Sequence, residues 1–192
     1  MEEIKIPYGE FKEDTVKTDN RRRDENSWRG YKNHANGALF ERVVSDTLDI
    51  YRKYGIANIH KFSEPLKVIK RMGNGTFLCC FTKRSEPDFI GTLKGGKAIV
   101  FEAKHTDSDR IMQDVVKEHQ AVALDIHESL GADCYVLVSI QLYNIFFVPW
   151  NVWKNMKEKY GRKYATAEDL KEYGVVHAGG SIDFLGKLVD IK

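Results

Sequence analysis

The chain has 192 residues, 42% of them hydrophobic and 11% aromatic, which suits one domain with a sizeable core, or one domain with an arm. Thirty Lys and Arg against 28 Asp and Glu leave a net charge of only +2, yet residues 61–84 carry six bases (Lys61, Lys67, Lys70, Arg71, Lys83, Arg84) against Glu64 alone, a local excess that predicts a basic surface facing an anion. No apolar run approaches the ~18–20 residues of a membrane span, the acidic N-terminus lacks the apolar stretch of a secretory signal, and three cysteines, Cys79 and Cys80 adjacent, make neither a disulfide framework nor a zinc knuckle: the expectation is a soluble cytoplasmic protein with no membrane partner.

In chain order, residues 1–34 are polar and lack periodicity, so they read as a flexible arm, separate from a domain over 35–192. The arm opens acidic but holds Arg21, Arg22 and Arg23, then Trp28 and Arg29. From Ala35 the pattern is helical, with Leu39, Phe40, Val43, Val44, Thr47, Leu48 and Tyr51 at three- and four-residue spacing and Gly55 as the stop. Residues 56–82 read as strands broken at Gly73-Asn74-Gly75. Asp88–Leu93 and Lys97–Lys104 flank Lys94-Gly95-Gly96 and predict a hairpin. A second helix is expected from about Ser108 to Leu130, with Met112, Val115, Val116, Ala123, Leu124 and Ile126 as its stripe. Cys134–Ile140 and Ile145–Val148 form a second strand pair, and a short helix follows over Val152–Tyr160. Thr166 with Asp169 three residues on resembles a capping box opening a last helix to about Tyr173. The order predicts a mixed α/β domain, helices packed on a central sheet. All three cysteines are expected as core fillers.

The chemistry concentrates in the hairpin. Side chains alternate along a strand, so Ile99, Phe101 and Ala103 point one way while Glu102 and Lys104 share the opposite face. If the hairpin pairs as expected, Asp88 on the neighbouring strand approaches Glu102. Two carboxylates so placed repel and raise each other's pKa unless a cation lies between them. Such oxygens suit Mg²⁺ or Mn²⁺, and a nearby lysine offsets charge building on a phosphate. On the E-x-K triplet alone, a surface Glu–Lys pair on an ordinary hairpin is the commoner explanation. Pro87-Asp88, the thirteen-residue gap and the apolar strand between shift the balance toward metal-assisted phosphodiester hydrolysis. His105 is a further candidate, as a general base, although a strand-end histidine more often packs.

The spacing P-D-(x13)-E-x-K is similar to that of the PD-(D/E)xK nucleases. The wider pattern resembles the RecU family of Holliday-junction resolvases over roughly residues 30–175. Its matching features are Gly37 with Glu41, Ile56–Val68, Asp88-Phe-Ile-Gly91, Phe101-Glu-Ala-Lys104, His119-Gln120, the aromatic strand YNIFFVPW and Gly161-Arg-Lys163. The resemblance implies a restriction-endonuclease-like mixed central sheet flanked by helices. It implies Mg²⁺, with Mn²⁺ as substitute, held by Glu86, Asp88, Glu102 and Gln120, with Lys104 as the catalytic lysine and Glu41 as an outer-shell carboxylate. His119 is expected to pack. The sequence departs from the family at position 86, where Thr is expected, and in the short stretch between Val68 and Glu86, the place of a stalk associated with junction binding. The implied activity is resolution of four-way junctions by paired nicking, in a homodimer, alongside other recombination proteins. Expected phosphate contacts are Arg21, Arg22, Arg23, Arg29, Lys70, Arg71, Lys83 and Arg84. Two alternatives stay open: another nuclease of this superfamily acting on linear or nicked duplex, and a recombination-associated DNA-binding protein that does not cut.

Overall fold

The structure, a computed structural model, describes residues 17–62, 66–81, 87–178, 180–186 and 188, and along 17–29 and at 31, 81 and 178 it describes the backbone alone. Helix α1 (Lys17–Lys53) ends in Arg52 and Lys53, cations that suit the negative end of the helix dipole. Gly55 then turns the chain at φ +65, a conformation that favours glycine. The helical backbone thus begins well before the expected start at Ala35. The apolar stripe lies where the spacing placed it: Phe40, Val44, Leu48 and Tyr51 are all buried.

Strand β1 (Ala57–Lys61) turns Ala57 and Ile59 inward. Strands β2 (Leu66–Gly73) and β3 (Thr76–Phe81) form an antiparallel ribbon of their own, closed by Asn74 and Gly75 at positive φ, as a two-residue hairpin turn requires. Strands β4 (Phe89–Leu93) and β5 (Ala98–Thr106) make the expected hairpin. Beyond it come β6 (Arg110–Met112), helix α2 (Glu118–Ser129), β7 (Asp133–Ile140), β8 (Asn144–Pro149), α3 (Trp150–Lys154), α4 (Met156–Tyr160), β9 (Tyr164–Thr166), and the ribbon of β10 (Val176–Ala178) with β11 (Ser181–Asp183).

The central sheet has the order β1-β4-β5-β7-β8, antiparallel throughout except for the parallel pair β5–β7. It is a mixed sheet with helices on both faces, the expected fold class. One face packs Ile99, Phe101 and Ala103 of β5 against α1, Phe147 and Phe184. The other packs Val100, Val136 and Val138 against Leu124 of α2 and Trp150, Trp153 and Met156. At the centre of the first face the rings of Phe89 and Phe101 stack with centroids 4.8 Å apart. Gly91 of β4 lies opposite Ile59 of β1, and a Cβ there would overlap the Asn58 carbonyl oxygen and Ile59 Cα. The D-F-I-G sequence therefore lets β1 close tightly on β4.

Several expected elements are corrected. The stretch 108–117 is not helical. Arg110–Met112 pairs with Tyr164–Thr166, a 3-10 turn spans Gln113–Val115, and α2 begins only at Glu118, after Lys117 at φ −74 and ψ 157. Ile111 is buried by that strand pairing while Met112 faces out, so tertiary contact overrides the local periodicity. The single helix expected over Val152–Tyr160 is two, broken at Asn155. The Thr166–Asp169 box forms, with the Thr166 N–H and hydroxyl donating to Asp169 Oδ2 at 2.8 and 2.7 Å. It leads into only a 3-10 turn over Lys171–Tyr173, because Gly174 bridges to Phe146 at the sheet edge. Cys134 is buried as expected, whereas Cys79 is half-buried and Cys80 exposed, since no second layer of described residues covers the β2–β3 ribbon.

Candidate functional site

The hairpin register sets Phe89 against Phe101, so Asp88, one residue ahead, falls beside Glu102. Alternation then turns Glu102 toward the α2 face while its neighbours Phe101 and Ala103 enter the core against α1. Glu102 is a carboxylate with no exposed surface, a costly placement that demands partners. It has three. Its Oε2 accepts from Lys104 Nζ at 2.7 Å and from Gln120 Nε2 at 2.6 Å. Its Oε1 accepts a longer bond from the Asp88 N–H at 3.3 Å. Asp88 Oδ2 in turn accepts from the Ala103 N–H at 3.2 Å and lies 3.5 Å from Lys104 Nζ. The ammonium thus bridges both carboxylates.

Burial, reinforced by Asp88 and opposed by Lys104, pushes the Glu102 carboxyl up to about 8. Burial works against the Lys104 ammonium, but the attraction of Glu102 and then Asp88 outweighs it and holds Lys104 charged, above its ordinary range. A carboxyl raised by burial is the signature of a site short of positive charge. Among the described residues, Asp88 Oδ1 carries no hydrogen bond and Glu102 Oε1 only the long one, so each acid keeps a lone pair to offer. No three His, Cys, Asp or Glu side chains converge among the described residues. Two carboxylates nevertheless suffice for Mg²⁺, which retains several waters. The donor set fits such a cation.

The structure brings together Asp88, Glu102, Lys104 and Gln120. Gln120, 7% exposed, is the third residue of α2, and its Oε1 accepts from the Lys117 N–H at 3.1 Å. That N–H is a site component that sequence reasoning missed, although a Gln three residues after a helix-capping position is one half of a capping box. Glu41 is not joined to this group by any hydrogen bond or ion pair among the described residues; it pairs with Lys61 of β1. The His105 side chain is 3% exposed. Its Nδ1 lies 3.1 Å from Ser139 Oγ and its Nε2 3.1 Å from Asp107 Oδ1, with Phe40 of α1 beside the ring. It faces away from Lys104 and packs. Asp107 also binds α1, accepting from Asn36 Nδ2 at 2.8 Å and donating its N–H to Asn33 Oδ1 at 3.1 Å, a tie that no local sequence pattern anticipates. His119 sits half-buried beside Gln120.

Of the expected phosphate contacts, Lys70 and Arg71 are exposed on the β2–β3 ribbon, with the Arg71 guanidinium 5.8 Å from the Phe77 ring centroid. Arg21, Arg22, Arg23 and Arg29 lie on the α1 backbone, in the stretch where the backbone alone is described. Lys83, Arg84 and Glu86 fall outside the described residues.

The family model "RecU: Recombination protein U" matches residues 35–190. A relative from Pediococcus pentosaceus, "Holliday junction resolvase RecU", is 28% identical over 149 residues, covering 72% of this chain and 73% of its own. A relative of the same name from Streptococcus pneumoniae is 27% identical over 170 residues, covering 84% and 85%. The solved structure of Hjc, a Holliday junction resolvase from Archaeoglobus fulgidus, aligns at TM-score 0.42 and 18% identity over 70% of this chain and 91% of that one.

Proposed function

The chain belongs to the RecU family, and from that premise we propose that it is a metal-dependent endonuclease that resolves four-way DNA junctions by paired nicking. One observation carries the reading: the family's span includes a buried carboxylate, Glu102, held beside Asp88 and bridged by Lys104. A protein that only bound DNA would gain nothing from two acids directed at a phosphate.

Asp88 and Glu102 would hold Mg²⁺, or Mn²⁺ in its place, with Gln120 at the border of the site and Glu86 as a further carboxylate. The cation would polarise a phosphoryl oxygen and lower the pKa of a bound water. Lys104, kept charged by its two acidic neighbours, faces the phosphate and offsets charge as a water oxygen bonds to phosphorus and the P–O3′ bond breaks. The Ala103 N–H and Lys104 both fix Asp88, so the hairpin arrives at the reaction already arranged. Lys70, Arg71, Lys83 and Arg84, with Arg21, Arg22, Arg23 and Arg29 of the N-terminal arm (residues 1–34), would contact backbone phosphates of branched DNA. A junction presents two strands for symmetric cutting, so a homodimer with two sites about a two-fold axis follows from the task. No helix among the described residues is long and apolar enough to cross a membrane, and the cytoplasm, where recombination proteins act on DNA, is the compartment this reading assigns.

The test is cleavage of a labelled mobile four-way junction beside linear duplex of the same sequence, with Mg²⁺, with Mn²⁺ and with EDTA. Paired nicks confined to the junction, dependent on metal and absent in Glu102→Ala, are the expected result. Equal cutting of both substrates would retain the site and remove junction selectivity. Tight binding without cutting under either metal would sink the catalytic reading.

A further inference from the structure

Strand β5 carries functional groups on both of its faces. Alternation turns Lys104 to the side of Glu102 and the next residue, His105, toward α1. The His105 ring is enclosed there between two oxygens, with Nδ1 3.1 Å from Ser139 Oγ and Nε2 3.1 Å from Asp107 Oδ1. A carboxylate can only accept, so Nε2 carries a proton and the ring donates to Asp107. Ser139 has no exposed surface, so this Ser–His–Asp row meets no substrate as a nucleophile. It ends instead at α1. Asp107 Oδ1 also accepts from Asn36 Nδ2 at 2.8 Å, and the Asp107 N–H donates to Asn33 Oδ1 at 3.1 Å. Burial disfavours the Asp107 carboxylate, but the bonds from Asn36 and His105 outweigh it and hold the group ionised, below its usual range. Hydrogen bonds to a charged acceptor are the stronger kind.

Burial along α1 shows what these bonds carry. The helix enters the core at Phe40, and Lys32, Asn33, His34, Ala35, Ala38 and Leu39 ahead of it are exposed. Among the described residues, the two bonds at Asp107 are the only hydrogen bonds or ion pairs that join α1 ahead of Phe40 to the rest of the protein. We propose that Asp107, oriented by His105, is a positioning residue that latches the N-terminal half of α1 to the end of the catalytic strand. The latch sets the helix backbone that bears Arg21, Arg22, Arg23 and Arg29 in a fixed relation to Lys104. Contacts of the arm with DNA and contacts at the scissile phosphate are thereby registered through one strand. The inference rests on the nuclease reading above and deepens it, assigning what aligns the arm with the site.

The test acts on the helix and leaves β5 untouched. Asn33→Ala with Asn36→Ala removes both bonds to Asp107. Alanine favours helix more than asparagine does, so a change of propensity alone would slow amide hydrogen exchange along α1. The latch predicts the reverse. Exchange over residues 30–39 of the DNA-free protein should quicken about 10-fold, the effect of losing hydrogen bonds that hold a local unit closed. Exchange over residues 40–53 should match the wild type, which shows that the variant folds. Unchanged or slower exchange over residues 30–39 would overturn the latch.

A second measurement reads the consequence for DNA. Replacing Arg21, Arg22 and Arg23 together by Ala should weaken binding of a four-way junction. In the Asn33→Ala, Asn36→Ala background the same replacement should cost about 3-fold less affinity, because an unlatched arm already contributes less. In that background kcat at saturating junction should equal the wild-type value. Equal losses of affinity in both backgrounds, the additivity of independent sites, would overturn the alignment role. The exchange measurement uses no DNA. A wild-type protein that cuts nothing would therefore defeat the resolvase reading while leaving the exchange result standing.

Discussion

Two of this protein's hairpins, β4–β5 and β2–β3, are built alike and situated oppositely. The β4–β5 hairpin lies inside the central sheet, with Phe89, Ile99, Val100 and Phe101 all buried and its polar side chains tied to one another. Among the described residues the β2–β3 hairpin pairs only with itself. Along it Leu66, Val68, Ile69, Met72, Phe77 and Leu78 are exposed, interleaved with Lys67, Lys70 and Arg71. A two-stranded ribbon without a covering layer is marginal by itself. A reacting phosphate has to be met by groups held to fractions of an ångström, so those groups sit where the core fixes them. A surface that follows the shape of a substrate needs reach more than rigidity. The difference separates chemistry from recognition, and substitutions in each hairpin should fail in different ways.

The largest effect is expected in the buried hairpin. Glu102→Ala and Lys104→Ala should each lower the rate of junction cutting by roughly 100- to 1,000-fold or more, with junction affinity retained in Mg²⁺-free binding assays. If Lys104→Ala cut at the wild-type rate, the lysine would have only a structural role and the separation would break. In the exposed hairpin the pattern should invert. Combined Lys70→Ala and Arg71→Ala should weaken junction binding, reduce the slope of log affinity against log salt by about 0.9 for each phosphate no longer neutralised, and leave kcat at saturating DNA and the unfolding midpoint unchanged. A fall in kcat would mean that the ribbon takes part in aligning the scissile phosphate.

A smaller effect, confined to stability, should come from Gly91→Ala. The added methyl meets backbone atoms of β1 and should cost about 1–3 kcal/mol, typical of overpacking, read from denaturant unfolding. Stability should also depend on pH. Glu102 is raised to about 8 in the folded protein, above its unfolded value, so the folded state holds a proton that the unfolded chain releases. This stability is fully present below the ordinary carboxylate pKa and is lost as pH rises through about 8. The metal-free protein should therefore melt at progressively lower temperature from pH 5 to pH 8, Glu102→Gln should flatten that trend, and Mg²⁺ should raise the midpoint most at the alkaline end.

Much of the site is legible in the sequence because its geometry is local. A Gly-Gly turn, two alternating strands and the Asp88, Glu102 and Lys104 spacing specify a hairpin that brings those three together, and the structure places them so. What escapes depends on distant contacts. The segment 110–112 reads as helix until Tyr164–Thr166 pairs with it, and no local period carries that information. Cys79 and Cys80 have strand-like neighbours that suggest a core, but alternation cannot tell whether a second layer arrives to cover the strand. Resemblance alone attaches Glu41 to the site, and adjacency alone attaches His105. The first is held by Lys61 and the second faces α1. Gln120 stands out in the sequence, whereas its link to the Lys117 N–H emerges only once α2 is seen to begin at Glu118.

The uneven placement of the thiols also gives the protein an internal reporter. Cys134 is buried beneath α2, and burial pushes its thiol up to about 12, so at neutral pH it presents almost no thiolate to a maleimide. Cys80 is exposed and Cys79 half-buried on β3. A fluorophore added to the unmodified chain should attach at the ribbon and spare the core, so that its polarisation follows the recognition element while the catalytic hairpin stays unlabelled.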